Sequence, residues 1–444
     1  MKTCNLFFFS LFLNDLDTYL LSNNIIGLKT ISDEIENDLA IFLKLFVMLY
    51  ADDIVLLAED AKDLQNQLNA FSEYCSTWKL KVNVDKTKVM IFGNGRIPRN
   101  VTFMYNNNNI EIVKEFNYLG IIFAKSGNFN KTKTYLAEKA QRAMYEVLKI
   151  GRSYKLSIKI QVDLFDKMVK PILLYGSVVW GFSNNDIIER VHLKFCKLLL
   201  NLKSSTPNYM VYGELGRHPL EIDIKIKIIS FWSKLVSYKQ TKYSSIVYRL
   251  LRCMYIENNA CFNWMSKVKT IFDECGFTYI WETENFMSYS YLISIVKQRL
   301  LDQYYQFWNS QVYNSSKSLS YRIYKADFKF EEYLNILPLK DAIQLCRFRT
   351  TNHCLPIETG RWNNTDRENR YCNLCNCGKL GDEYHYLFEC VSLNQQRNLY
   401  ISRYFTRNHN TIKFSDLMTC NRKLVLSKLC KFIKCTLEMV CTLG

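Results

Sequence analysis

The chain has 444 residues, 48% hydrophobic and 14% aromatic, which supplies a buried core and excludes a disordered protein. Lys and Arg number 58 against 42 Asp and Glu, and the net charge of +16 favours a polyanionic partner such as RNA or DNA over an acidic small molecule. Sixteen cysteines in so long a chain, many inside apolar helical patterns (Cys75, Cys196, Cys346), exclude the disulfide framework of a small secreted domain and predict reduced thiols.

Length predicts about two to four domains. No apolar run approaches the roughly 18 to 20 residues of a membrane span. Met1-Lys2 and the apolar stretch Leu6 to Leu13 have the outline of a secretory leader, but Asn14-Asp15-Leu16-Asp17 follow at once without a small-residue cleavage site. The expectation is an intracellular protein, in nucleus or cytoplasm, with no membrane partner.

In chain order, Leu6, Phe9, Leu13, Leu16 and Leu20 recur at threes and fours and predict a helix over residues 5–21. Then Phe46 to Ala58 sets two apolar, β-prone runs around adjacent carboxylates, Asp52 and Asp53, the pattern of a hairpin with both acids at its tip. Such a pair is costly between strands that would bury well unless its charge is neutralised, which points to a divalent metal or a strong hydrogen-bond network. Alternation along a strand leaves one of the two as the main ligand. An ordinary Asp-Asp turn is the plain alternative.

Asp60 is an N-cap, and Leu64, Leu68, Phe71, Cys75 and Trp78 mark one face of a helix that packs on the sheet bearing the hairpin. Leu80 to Phe92 ends in a strand, with Lys86 and Lys88 placed either to approach a phosphate or to lie on a solvated edge. The Asn-rich residues 93–109 read as a loop. Gly120 allows a close backbone approach. From 131 to about 170, Leu136, Ala140, Ala143, Val147 and Ile150 form an apolar stripe, surrounded by Lys139, Arg142, Lys149, Arg152, Lys155 and Lys159. Basic helices of this kind can track a duplex backbone. Residues 185–340 are mostly amphipathic helices whose aromatics read chiefly as core.

Near the C-terminus, Cys372 and Cys375, then His385 and Cys390, give CxxC, nine residues, His, four residues, Cys. Four such ligands suit tetrahedral zinc, with a tight knuckle at the CxxC and a short helix presenting the other two. Cys377 leaves open which of Cys372, Cys375 and Cys377 bind. His353 is a spare ligand or a turn residue.

Tyr50-Ala51-Asp52-Asp53 resembles the YxDD box of reverse transcriptases, and its flanks (MLYADDIVLLAED) resemble the non-LTR retrotransposon branch. Asn5 to Leu16 is similar to the end of the helix after that family's Gly-rich turn, which is absent here. Leu80 to Phe92 resembles the W.L.VN..KT..M.F motif that follows the active hairpin. Phe116 to Phe123 resembles the YLG segment, a short hairpin that holds the primer near the acids. Lys170 to Gly181 resembles a stretch beyond the polymerase core. Leu345 to Pro356, with Arg361, Trp362 and the Cys/His cluster, resembles the C-terminal Cys-Cys-His-Cys module of jockey-like elements, associated with nucleic-acid binding during target-primed insertion.

The resemblance implies an α+β chain with a partial reverse-transcriptase palm and YADD β-hairpin over 1–125. A thumb-like helical region over 126–200, a helical connector over 201–340 and a small zinc-binding region over 341–444 follow. It implies RNA-directed DNA polymerisation with Mg²⁺ held by Asp52 and Asp53, and substrate or primer contacts from Tyr50, Lys86, Lys88, Tyr118, Leu119 and Gly120. A structural Zn²⁺ is implied on Cys372, Cys375, His385 and Cys390, and an RNA template with a DNA primer or target as partners. The family's third metal-binding Asp lies on an upstream strand, and Asp15 and Asp17, which end a helix, do not replace it. The expectation is therefore a C-terminal half with an incomplete polymerase site, unless a partner chain supplies the rest. The alternative is an inactive nucleic-acid-binding remnant using basic helices and the knuckle.

Overall fold

The computed structural model describes residues 15–23, 25, 28–30, 43–45, 47–50, 53–93, 95, 101–237, 243–258 and 263–442. They belong to two compact units, one of residues 1–132, 178–182 and 228–289, the other of residues 133–177, 183–227 and 290–444. Helices dominate and short strands are confined to the first unit, an α+β composition.

In the first unit, α1 (Leu16–Ser22) is the described part of the expected N-terminal helix; residues 5–14 lie outside the described residues. Strands β1 (Leu28–Thr30) and β2 (Leu43–Leu45) pair antiparallel, as do β3 (Val47–Tyr50) and β4 (Asp53–Leu56). Helix α2 (Ala61–Thr77) starts where Asp60 accepts the Asp63 N–H at 2.7 Å. Its Leu68, Phe71, Tyr74 and Cys75 are buried with Leu16 and Leu20 of α1 and with Val89, Phe103, Tyr105 and Ile110. Trp78, expected on that face, caps the helix and is exposed.

The last four of those residues belong to a three-stranded sheet ordered β5-β7-β6, with β5 (Lys88–Met90) parallel and β6 (Phe103–Tyr105) antiparallel to β7 (Asn108–Val113). The expected loop over 93–109 is thus corrected: β6 and the start of β7 lie inside it. Asn106 and Asn107 make the turn, both at positive φ (45° and 65°), which Asn tolerates better than most residues. A run of asparagines looks like loop composition, but only two of them are needed for the turn. Strands β8 (Glu115–Tyr118) and β9 (Ile121–Ala124) form a last hairpin.

Two glutamines of α2 stitch it to the strands. Gln65 exchanges hydrogen bonds of 2.9 Å with both the N–H and the C=O of Met104 in β6. Gln67 donates to the Leu57 carbonyl at 2.7 Å, just past β4, and so fixes one arm of the acidic hairpin on the helix.

The second unit is helical. In α3 (Asn130–Ser153), which enters it at residue 133, Leu136, Ala140 and Val147 are buried and Ala143 and Ile150 half-buried. Six cations along α3 and α4 (Ile158–Met168) or the turn between them, Lys139, Arg142, Lys149, Arg152, Lys155 and Lys159, are all exposed. Cys75, Cys196 and Cys346 are free and buried as expected. Cys354 and Cys441, however, are joined by a disulfide that the composition did not foresee. They are 87 residues apart in sequence and meet because the terminal helix, Lys423–Thr442, returns beside the turn at 354. No helix among the described residues is long and apolar enough to cross a membrane.

Candidate functional site

Chemistry-bearing residues gather at two places. The first is the β3–β4 hairpin. Its register sets Tyr50 opposite Asp53 and Val47 opposite Leu56, leaving residues 51 and 52 as a two-residue link. Asp52, and the side chain of Tyr50, lie outside the described residues. Asp53 is exposed and has no ion pair among the described residues, so its carboxylate is open to a hard cation, which oxygen ligands suit.

The charge of this acid is felt at Tyr118, the last residue of β8. The Tyr118 phenol is pushed above its ordinary range, first by burial and then by the charge of Asp53. Tyr118 pairs with Ile121, and the two residues between them, Leu119 and Gly120, have φ of 50° and 81°. Gly120 is therefore needed for the turn itself. A leucine in the left-handed region is an outlier of the kind stored at working sites. Of the two lysines, Lys86 is exposed, while Lys88 reaches across the parallel pair to Glu111 at 2.8 Å.

The second place is the C-terminal cluster. Ligating atoms of Cys372, Cys375, His385 and Cys390 all lie within 4.8 Å of one another, and all four residues are buried. Cys372 Sγ and Cys390 Sγ are 3.8 Å apart, and Cys375 Sγ lies 3.3 Å from His385 Nε2. Ligands of one tetrahedral zinc, with Zn–S and Zn–N bonds of about 2.3 and 2.0 Å, are separated by about 3.5 to 3.8 Å. Each sulfur also receives a backbone N–H from two residues on: Leu374 to Cys372 at 3.4 Å, Cys377 to Cys375, and Ser392 to Cys390. Such donors stabilise thiolates. Cys377 is exposed and outside the quartet, so the structure brings Cys372 and Cys375, and not Cys377, to His385 and Cys390. His353 is elsewhere, bonded to Glu383 at 2.9 Å.

The shifts within the quartet run both ways: burial pushes the Cys375 thiol up, and the bond to Cys372 pushes the Cys390 thiol up. The Cys372 thiol is held well below its ordinary value, first by the hydrogen bond from Cys390. Burial pulls the His385 imidazole down, but its bonds to Cys372 and Glu389 carry it up overall. A divalent cation suits these surroundings. Where a short α-helix was expected after Tyr384, the structure has a π-helical turn, His385–Glu389. Sequence reasoning missed Glu389, which ends this turn and bonds His385, and Arg397, which bonds its carbonyls from the next helix. The spacing of His385 and Glu389, one helical turn, is the signal that marks the first; nothing local marks Arg397.

Residues 8–123 match the family described as reverse transcriptase (RNA-dependent DNA polymerase). A transposon-derived protein of Caenorhabditis elegans is 29% identical over 185 residues, covering 40% of this chain and 63% of that protein. The RNA-directed DNA polymerase from mobile element jockey of Drosophila funebris is 28% identical over 192 residues, 41% of this chain and 20% of that polymerase. A 115 kDa protein of a type-1 retrotransposable element in Drosophila melanogaster is 25% identical over 243 residues, 51% of this chain and 22% of its own length. The matches thus span less than two thirds of each of these relatives.

Proposed function

The chain is of the non-LTR retrotransposon reverse transcriptase kind, and from that premise we propose that it acts in RNA-directed DNA synthesis by such an element. In this reading Asp52 and Asp53 would hold Mg²⁺, and that ion would supply activation of the primer 3′ hydroxyl and charge neutralisation at the departing pyrophosphate. Tyr118, Leu119 and Gly120 lie along the primer, and Tyr50, Lys86 and Lys88 approach the substrates. Residues 1–125 serve as palm, 126–200 as thumb, 201–340 as connector and 341–444 as a metal-bearing region. Cys372, Cys375, His385 and Cys390 hold a structural Zn²⁺, closed by four protein ligands. An RNA template and a DNA primer or target are the partners, met inside the cell.

One observation carries the polymerase reading: an exposed Asp53 at a hairpin tip, without an ion pair among the described residues and close enough to Tyr118 for its charge to be felt there, inside the segment similar to reverse transcriptases. Primer extension on an RNA template, with purified protein, Mg²⁺ and four dNTPs, tests it. Mg²⁺-dependent extension that disappears in the Asp52→Asn, Asp53→Asn double variant is expected. Extension that survives the double variant would overturn the assignment of the acids. Absence of extension from the native protein would favour the second reading, nucleic-acid binding without synthesis, which the exposed cations of α3 and α4 and the thiol-imidazole quartet support.

A further inference from the structure

His385 and Cys390 are five residues apart. In an α-helix that separation places two side chains about 140° apart around the axis, too far to meet on one ion. The π-helical turn removes the difficulty: the Cys390 N–H closes on the His385 carbonyl at 2.8 Å, and the wider loop brings both side chains to one face. Single π turns of this kind are uncommon and leave carbonyls that the regular ladder would have satisfied.

Arg397 satisfies them. It is 5% exposed, and its guanidinium donates to the carbonyls of Leu387 and Cys390 at 2.8 Å each and of Tyr386 at 3.4 Å. A further bond of 2.6 Å to Asn394 Oδ1 anchors it in the next helix. One planar fork thus spans the turn from Tyr386 to Cys390, a geometry that lysine lacks.

Glu389 acts on the imidazole. Its Oε2 lies 3.2 Å from His385 Nδ1, while Nε2 is turned into the cluster toward Cys375. A carboxylate there accepts a hydrogen bond from Nδ1–H, which keeps the proton on Nδ1 and leaves Nε2 unprotonated for a metal. Lys379 Nζ, 3.2 Å from the same oxygen, holds the carboxylate in place from the knuckle side.

We propose that Glu389 and Arg397 are positioning residues of the metal centre: Glu389 selects the His385 tautomer that presents Nε2, and Arg397 holds the π turn that brings His385 and Cys390 to one ion. The proposal rests on the reading of the quartet as a zinc centre. The full chain is titrated with Zn²⁺ against a chromophoric chelator, and separately with Co²⁺ as a spectroscopic probe. The native protein should bind one zinc, and Cys375→Ser should lose it. Glu389→Gln, Glu389→Ala and Arg397→Lys should weaken zinc about tenfold to a hundredfold. Their cobalt spectra should keep the thiolate bands, because no ligand has been removed.

The outcomes separate the two claims. A native protein without zinc, or with zinc indifferent to Cys375→Ser, removes the centre and the proposal with it. A zinc-binding native protein whose affinity is unchanged in all three outer variants overturns the proposal alone. A merely structural role for Glu389 predicts a fall in melting temperature that is the same with and without metal, at unchanged affinity, and that result also overturns it.

Discussion

Arg349 is fully buried, yet each nitrogen of its guanidinium is matched. It meets Glu214 at 2.9 and 3.1 Å, Glu331 at 3.0 Å and the Met418 carbonyl at 2.6 Å. Lys325 pairs with Glu331, and the Tyr333 hydroxyl donates to Glu214, so two carboxylates face two cations in a dry setting. The rings of Tyr324 and Tyr333 lie 4.7 and 5.0 Å from the guanidinium carbon. Removing one partner from such a cluster strands a buried charge, at about 3 to 5 kcal/mol. Arg349→Leu should therefore lower the unfolding free energy of the second unit, read from denaturant titration, by an amount of that order, and Arg349→Lys should recover little, because the fork is lost. Wild-type stability in Arg349→Leu would show that the cluster contributes nothing. The sequence exposed Arg349 only as one letter of a motif; its partner Glu214 is 135 residues away, and nothing in local pattern links them. The Cys/His quartet was legible for the opposite reason: CxxC and the His–Cys pair encode their contacts in short spacings, whereas Arg397 works through backbone carbonyls, which have no sequence.

Hairpins are the element on which the polymerase reading depends. The first unit uses the same short connection three times: residues 51–52 between β3 and β4, Asn106-Asn107 between β6 and β7, and Leu119-Gly120 between β8 and β9. Two apolar, β-prone runs flanking adjacent acids made the first legible, and resemblance made the third. The second was hidden because asparagine serves both as loop filler and as turn residue. Asn106 and Gly120 fit their positive φ, but Leu119 does not, and a side chain with a bulky Cβ substituent in this region costs roughly 1 to 2 kcal/mol. Leu119→Asn should raise stability by about 1 kcal/mol in urea denaturation. If Leu119 is retained for contact with the primer, the same variant should also extend primers more slowly. A stability unchanged or lowered in Leu119→Asn would mean that the leucine side chain gives back in packing what its backbone costs.

Over the whole molecule the informative quantity is charge. A net +16 is only a composition until it is known where the cations stand. Along α3 and α4, Lys139, Arg142, Lys149, Arg152, Lys155 and Lys159 are all exposed, and among the described residues Lys149 alone of the six is ion-paired, to Glu146 at 4.0 Å. The apolar stripe beneath them is used in packing, so these cations remain outside and available to phosphates. Single-stranded RNA should then bind with an affinity that falls linearly in log–log with salt, with a slope of about −0.7 per phosphate neutralised. Removing three of the cations together, Arg152→Ala, Lys155→Ala and Lys159→Ala, should flatten that slope by about two units while leaving zinc content unchanged. A triple variant with the slope of the native protein would place the RNA elsewhere on the molecule. Loss of zinc by Cys375→Ser separates the contributions further: a slope kept at lower affinity would assign the knuckle to orientation and the helices to phosphate contact. A slope that collapses with the metal would instead make the knuckle the main electrostatic surface.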